Sequence, residues 1–269
     1  MKIKAAALQF GVRVHEKAYN TGKARQLLEQ AAEAGARLVV LPELWNCGFD
    51  TAHLEESAEE LSGPSITMLR EYAAARRIAV VGGSVIEKKQ GRFYNTSVLL
   101  DQSGAMAAKY RKAHLFTYGW REQEYFSPGD EWTLCPTPGA EGLTLGMSIC
   151  YDLRFPEFYR NMALRGAKLF SVPVAWPQAR ADEYELFCRA RAAENRAYLI
   201  AANYSDNGDG EYCGHSLIVD PYGRVLARGD EGEGVVWAEL DTEVFHSQRI
   251  FNPLADRRQF LDEIDNNLI

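Results

Sequence analysis

A mixed α/β sandwich with many strands is the fold class this sequence predicts. Strand and helix signals alternate along nearly the whole chain, the turns between them are short, and no linker-like stretch interrupts the alternation. With 46% hydrophobic and 25% charged residues in 269, one large core is within reach, so a single domain over 1–269 is expected. There is no internal repeat or low-complexity segment, and no G-x-G-x-x-G or Walker loop points to a nucleotide.

The elements follow in order. The stretch from Met1 to Phe10 reads as a first strand, its apolar part being too short for a signal peptide. Ala24, Leu27, Leu28, Ala31 and Ala32 recur at helical spacing until Gly35, and Arg37 to Leu41 forms an apolar strand that needs cover on both faces. A helix from about Pro64 to Arg77 leads into Ile78 to Val81. Tyr94 to Leu100 then turns through Gln102-Ser103-Gly104 into a strand ending near Tyr110, the pattern of an antiparallel hairpin. Ala113 to Pro138 has no clean period and reads as a long excursion, of the kind that is usually functional. Beyond it, Gly142 to Cys150 is a strand, Pro156 to Leu164 a helix ending at Gly166, and Lys168 to Val174 a strand. A helix from Asp182 to Asn195 precedes strands at Tyr198 to Asn203 and Gly214 to Asp220, and Asp220-Pro221-Tyr222-Gly223 turns the chain into Arg224 to Ala227.

Charge and cysteine usage narrow the function. A net charge of −7 disfavours nucleic acid and acidic membranes as partners. Cys47, Cys135, Cys150, Cys188 and Cys213 are irregularly spaced, with neither a C-x-x-C pair nor a zinc-like His spacing, so reduced thiols and a cytoplasmic location are expected, with no metal. No stretch approaches the roughly 18 to 20 apolar residues of a membrane span.

Cys150 ends an apolar strand, and the helix starting near Phe155-Pro156-Glu157 would aim unpaired N–H groups at its thiol. A buried structural cysteine is the competing reading. Glu43 and Lys112 also follow core strands, although solvated strand-end charges are common. If the three strands are neighbours in one sheet, a nucleophile, a base and a cation converge at its edge.

Three motifs carry this further: Leu38-Val39-Val40-Leu41-Pro42-Glu43, Lys109-Tyr110-Arg111-Lys112-Ala113-His114-Leu115-Phe116, and Ile149-Cys150-Tyr151-Asp152-Leu153-Arg154-Phe155-Pro156-Glu157. With them the sequence resembles the nitrilase superfamily of carbon–nitrogen hydrolases, from Ala7 to about Val236. The resemblance implies a four-layer αββα sandwich and a catalytic triad of Glu43, Lys112 and Cys150. It also implies a second glutamate before the turn Ser127-Pro128-Gly129-Asp130; counting back favours Glu122, with Glu124 as the fallback.

The implied chemistry is attack by the Cys150 sulfur on an amide carbon, with Glu43 moving the proton. Lys112 and the Tyr151 backbone N–H would hold the oxyanion, and a thioester would then be hydrolysed, with no cofactor required. The cysteine motif is most similar to the branch that includes omega-amidases, which act on small acids bearing a terminal amide such as 2-oxoglutaramate or succinamate. N-carbamoyl amine or nitrile hydrolysis by the same triad is the alternative, and a catalytically silent binding protein is the alternative of another class. Arg154 is a candidate for a substrate carboxylate, or else pairs with Asp152 or Glu157; Trp176 is a candidate pocket wall, or else a core or interface aromatic. The family resemblance further implies a homodimer. Phe155, Phe158, Tyr159 and Met162 suggest more apolar surface than one core face hides, and the region from about 240 to 269, with Phe251 to Arg258, is expected to reach a partner.

Overall fold

The computed structural model describes residues 1–119, 121–205, 210–247 and 253–257. The first half runs β1 (Lys2–Gln9), α1 (Lys17–Glu33), β2 (Leu38–Val40), a one-turn α2 (Leu54–Ser57), α3 (Pro64–Arg76), β3 (Ala79–Val81), β4 (Val85–Lys89), β5 (Arg92–Leu100) and β6 (Met106–Arg111). The second half runs β7 (Thr133–Pro136), β8 (Thr144–Met147), α4 (Pro156–Leu164), β9 (Leu169–Pro173), α5 (Ala181–Asn195), β10 (Tyr198–Ala202), β11 (Leu217–Val219), β12 (Val225–Arg228) and β13 (Gly234–Asp241). Short helices α6 (Val244–Ser247) and α7 (Pro253–Asp256) follow.

These strands form two sheets. One has the order β13-β1-β2-β3-β5-β4 with β6 also on β5, the other the order β12-β11-β10-β9-β8-β7. The period-2 alternation of buried strands sets the layers. Ala5 and Ala7 of β1 join Leu38 and Val40 of β2 in the core that also holds Leu145, Phe170 and Leu199 of the other sheet. Ala6, Leu8 and Val39 face the opposite way, onto Leu27 and Leu28 of α1 and Leu69 of α3. On the far side of the second sheet, Tyr159 and Met162 of α4 and Tyr184, Cys188 and Ala192 of α5 close the stack. The result is the four-layer αββα sandwich. Sheet strands buried on both faces explain why β2, β3 and β10 read as unbroken apolar runs.

The hairpin is present, with β5 and β6 antiparallel and Ser97 opposite Tyr110. Three strands were not legible: β4, β7 and β13, the last pairing antiparallel along the whole of β1. β4 begins apolar and ends on Lys88 and Lys89, and only its pairing along β5, Val85 with Thr96, defines it. β7 lies inside the aperiodic excursion and pairs with β8, Cys135 opposite Leu145.

The apolar face of α4 does not project outward. Phe158, Tyr159 and Met162 are buried and Phe155 is packed against the core, so these four residues do not supply the partner-facing surface expected of them. Gly146 leaves the room: a Cβ on it would approach Met162 Sδ to 2.9 Å and Phe170 to 3.0 Å. Of the expected partner-reaching segment, Phe251, Asn252 and Arg258 lie outside the described residues. Among the described residues no helix is long and apolar enough to cross a membrane.

Candidate active site

The three strand-following residues do meet, though not along one sheet edge. β2 and β6, which precede Glu43 and Lys112, belong to the first sheet, and β8, which precedes Cys150, belongs to the second. Convergence therefore occurs across the gap between the sheets, where loops leaving both can be brought face to face.

Each side chain is held by its local backbone. The loop carrying Glu43 crosses Gly83 so closely that a Cβ there would lie 2.1 Å from the Pro42 carbonyl, and Gly83 has a φ of +58°. Ser84 N–H donates to Pro42 O at 3.1 Å and Leu44 N–H donates to Ser84 Oγ at 2.8 Å, which locks the loop. Lys112 directly follows β6, and the turn at Ser127 to Asp130 fastens it: Gly129 N–H donates to Lys112 O at 2.8 Å, and a Cβ on Gly129 would lie 2.3 Å from Arg111 O. Only glycine admits these approaches.

Cys150 departs from the expected strand end. β8 stops at Met147, and Cys150 opens a 3₁₀ turn (Cys150–Arg154) with a left-handed φ of +43°. The reason is Asp152, whose Oδ2 accepts from Ile149 N–H at 2.8 Å and from Tyr110 Oη at 2.7 Å, while Oδ1 lies 2.7 Å from His114 Nδ1. This buried carboxylate bends the chain and ties the cysteine turn to the lysine strand. A non-glycine residue in the left-handed region is strained and persists only where its surroundings over-determine it.

The resulting cluster is dense. Lys112 Nζ donates to Glu43 Oε1 at 2.8 Å and to Glu122 Oε1 at 2.9 Å. Glu43 Oε1 also accepts from Asn95 Nδ2 at 2.9 Å, and its Oε2 accepts from Ala175 N–H at 3.2 Å. Glu122 Oε2 accepts from Phe116 N–H at 2.8 Å. Glu43, Lys112 and Glu122 are almost wholly buried. Glu124, two residues on, points instead to Arg121 at the surface. Asn95, Asp152 and Tyr110 were missed as site residues by the sequence reading; the available signal was a polar or hydroxyl side chain inside an apolar strand or turn.

Burial opposes charge throughout the cluster. It pushes the Cys150 thiol well above its ordinary range, Glu43 adds to the rise, and Lys112 opposes it. Burial also raises the Glu122 carboxyl, against the pull of Lys112. For Lys112 burial works downward, but Glu122 and Glu43 outweigh it and hold the ammonium above the usual lysine value. A protonated thiol beside a carboxylate and an ammonium can attack a polarised carbon as its proton moves to the carboxylate.

Cys150 opens onto a pocket of about 240 Å³ walled by Phe49, Phe116, Tyr151, Trp176, Pro177 and Tyr212, with Lys112 and Glu122 at its base. Trp176 is both wall and core: it is 3% exposed, packs on Tyr184, and donates Nε1–H to Arg180 O at 2.9 Å. Arg154 also borders the pocket, but it pairs with neither Asp152 nor Glu157; its Nη2 donates to Glu183 Oε2 at 2.6 Å. The reason is that Asp152 is already committed to Tyr110, His114 and the Ile149 N–H.

Among the described residues one group of metal-ligand type occurs elsewhere: His15, Asp50 and His53 bring ligand atoms within 4.8 Å of one another. Buried Asp50 is there the acceptor for both imidazoles, at 2.6 and 2.9 Å, and for Ser57.

The carbon-nitrogen hydrolase family pattern matches residues 4–249. The 2-oxoglutaramate amidase of Bacillus subtilis (strain 168) is 37% identical over 257 residues, covering 95% of this chain and 97% of that one. Omega-amidase NIT2-A of Xenopus laevis is 34% identical over 267 residues, covering 96% and 95%. Among solved structures, Saccharomyces cerevisiae Nit3, a member of branch 10 of the nitrilase superfamily, superposes with a TM-score of 0.86 at 32% identity, over 96% of this chain and 97% of that one. XC1258 from Xanthomonas campestris, a CN-hydrolase superfamily protein with an arsenic adduct in its active site, gives 0.87 at 29% identity, over 97% and 99%. The sandwich, the cluster between its sheets and these likenesses lead to one conclusion: this chain belongs to the carbon–nitrogen hydrolase family, within the nitrilase superfamily.

Proposed function

We propose that the protein is an omega-amidase, releasing ammonia from the terminal amide of a short carboxylic acid such as 2-oxoglutaramate or succinamate. The observation that carries this is the buried Glu43–Lys112–Glu122 cluster beside the Cys150 thiol at the floor of a small pocket. The names of the relatives, 2-oxoglutaramate amidase and omega-amidase, support the substrate class.

Cys150 is the nucleophile. Its proton passes to Glu43 as sulfur bonds to the amide carbon, so no free thiolate need accumulate in so buried a place. The carbonyl oxygen becomes an oxyanion, received by the Lys112 ammonium and the Tyr151 N–H. Glu43 then returns the proton to the leaving nitrogen, the C–N bond breaks, and ammonia departs from a thioester. Water, deprotonated by Glu43, attacks that thioester; the acid leaves and the proton restores the thiol. Glu122 orients Lys112, and Trp176 confines the substrate.

The same proposal takes 1–269 as one domain, acting in the cytoplasm as a homodimer. Exposed Leu164 at the end of α4 and Leu186 on α5, 39% and 63% accessible, support pairing across those helices. Light scattering at low micromolar concentration should give about twice the 30.2 kDa chain mass. A fully active monomer would remove the dimer.

The test of the reaction is ammonia release over a panel of omega-amides, N-carbamoyl amines and nitriles. 2-Oxoglutaramate or succinamate should lead; a clear preference for carbamoyl amines or nitriles would overturn the substrate class, and no turnover on any would overturn the enzyme.

A further inference from the structure

We infer that Arg180, not Arg154, is the residue that selects an acidic substrate by receiving its distal carboxylate. The inference rests on the amidase reading and deepens it. Among the described residues three cations border the pocket: Lys112, Arg154 and Arg180. Lys112 is shared between two carboxylates at 2.8 and 2.9 Å and faces the reacting carbon. Arg154 is engaged with Glu183 at 2.6 Å, and its guanidinium lies 5.2 Å from the Trp176 ring and 5.1 Å from that of Phe187. Recruiting it for substrate would require giving up that pair.

Arg180 differs on each count. Among the described residues no carboxylate lies within ion-pair distance of it, and its guanidinium has the Tyr118 ring at 5.6 Å. Its backbone is nonetheless fixed. Arg180 N–H donates to Pro177 O at 3.1 Å, its carbonyl accepts from Trp176 Nε1 at 2.9 Å, and Gln178 N–H donates to Glu211 O at 2.9 Å. A rigid turn thus presents a half-buried, unspent cation to the same pocket that holds the thiol. The planar fork of arginine matches a carboxylate with two parallel hydrogen bonds, and preorganised charge is worth more than charge that must first be freed. Glu211 also lines the pocket. Its negative charge weakens the general attraction for anions, which leaves the directional contact at Arg180 to do the selecting.

The experiment compares KM for succinamate and for butyramide, a neutral short amide, in the full-length protein and in Arg180→Gln, Arg180→Lys and Arg154→Gln. Circular dichroism checks the fold of each. Arg180→Gln should raise the succinamate-to-butyramide KM ratio by about 10- to 100-fold, the worth of a charge-assisted contact. Arg180→Lys should raise it less, and Arg154→Gln should shift both amides alike. Calorimetric binding of succinamate to Cys150→Ala protein, with and without Arg180→Gln, reads the same contact without turnover. A ratio that moves by less than about 3-fold in Arg180→Gln, with wild-type turnover of succinamate intact, overturns the role of Arg180 and leaves the amidase standing. If the wild type turns over neither amide, the amidase reading falls, and the binding arm alone decides Arg180: weaker binding upholds it, equal binding overturns it.

Discussion

Two buried carboxylate centres, some residues apart on the same loop system, are built on opposite terms. At Asp50 one carboxylate meets several donors: both His15 and His53 imidazoles, the His53 N–H and Ser57. Burial alone would raise that carboxyl, but the hydrogen bonds from Ser57, His53 and His15 outweigh it and hold it below the usual aspartate value. At the candidate active site the balance is reversed. Two carboxylates and a thiol share one ammonium, and burial leaves Glu122 above its usual range and Cys150 far above. A satisfied carboxylate fastens loops together, whereas an under-supplied one keeps protons available to move. The contrast sets a carboxylate that ties loops together against the candidate catalytic cluster on physical grounds alone.

The sharpest way to break this contrast is Cys150→Ala. It should abolish ammonia release with the fold retained, while Cys47, Cys135, Cys188 and Cys213 each tolerate Ser or Ala. Mass spectrometry of a quenched reaction should find the acyl group on the Cys150 peptide; a second, equally indispensable cysteine in a folded protein would move the nucleophile.

Next in size are the charged partners. Glu43→Gln and Lys112→Met should each lower turnover by about 10²-fold or more, through lost proton transfer and lost oxyanion contact. Steady-state rates that stay within a few-fold of wild type would demote either residue to scaffolding.

Glu122→Gln should impair turnover more than Glu124→Gln, since only Glu122 touches Lys112 while Glu124 pairs with Arg121 at the surface. The reverse order would exchange their roles.

The smallest effects are on stability, and they carry opposite signs with pH. Asp50, held low, contributes stability above the unfolded carboxylate pKa that is lost as pH falls below about 4. Glu122, held high, does the reverse: its folded form binds the proton more tightly, so stability falls as pH rises from about 4 through its raised value. Asp50→Asn should cost about 1–3 kcal/mol at neutral pH by leaving donors mismatched. Glu122→Gln should remove the loss on the rising limb. Urea denaturation between pH 3 and 8 measures both, and parallel profiles would erase the distinction between the two centres.

Much of this molecule was legible along the chain. Helical and strand periods marked α1, α3, α4, α5 and the buried strands, because a residue's immediate neighbours carry that information. Glu43, Lys112 and Cys150 stood out because each lies at the end of a strand, an apolar one for Glu43 and Cys150 and the hairpin strand for Lys112. What the sequence by itself could not contain was the pairing between them. Lys112 meets Glu43 across 69 positions, and Ala175 N–H meets Glu43 across 132. The first separation closes within one sheet, through β2, β3, β5 and β6, whereas the second needs the two sheets to stack. Stacking also hid the apolar face of α4, gave Asp152 to Tyr110 and His114, and gave Arg154 to Glu183. Side-chain identity is local, but a partner is whichever group the packed backbone brings within about 3 Å, and that choice belongs to the tertiary structure.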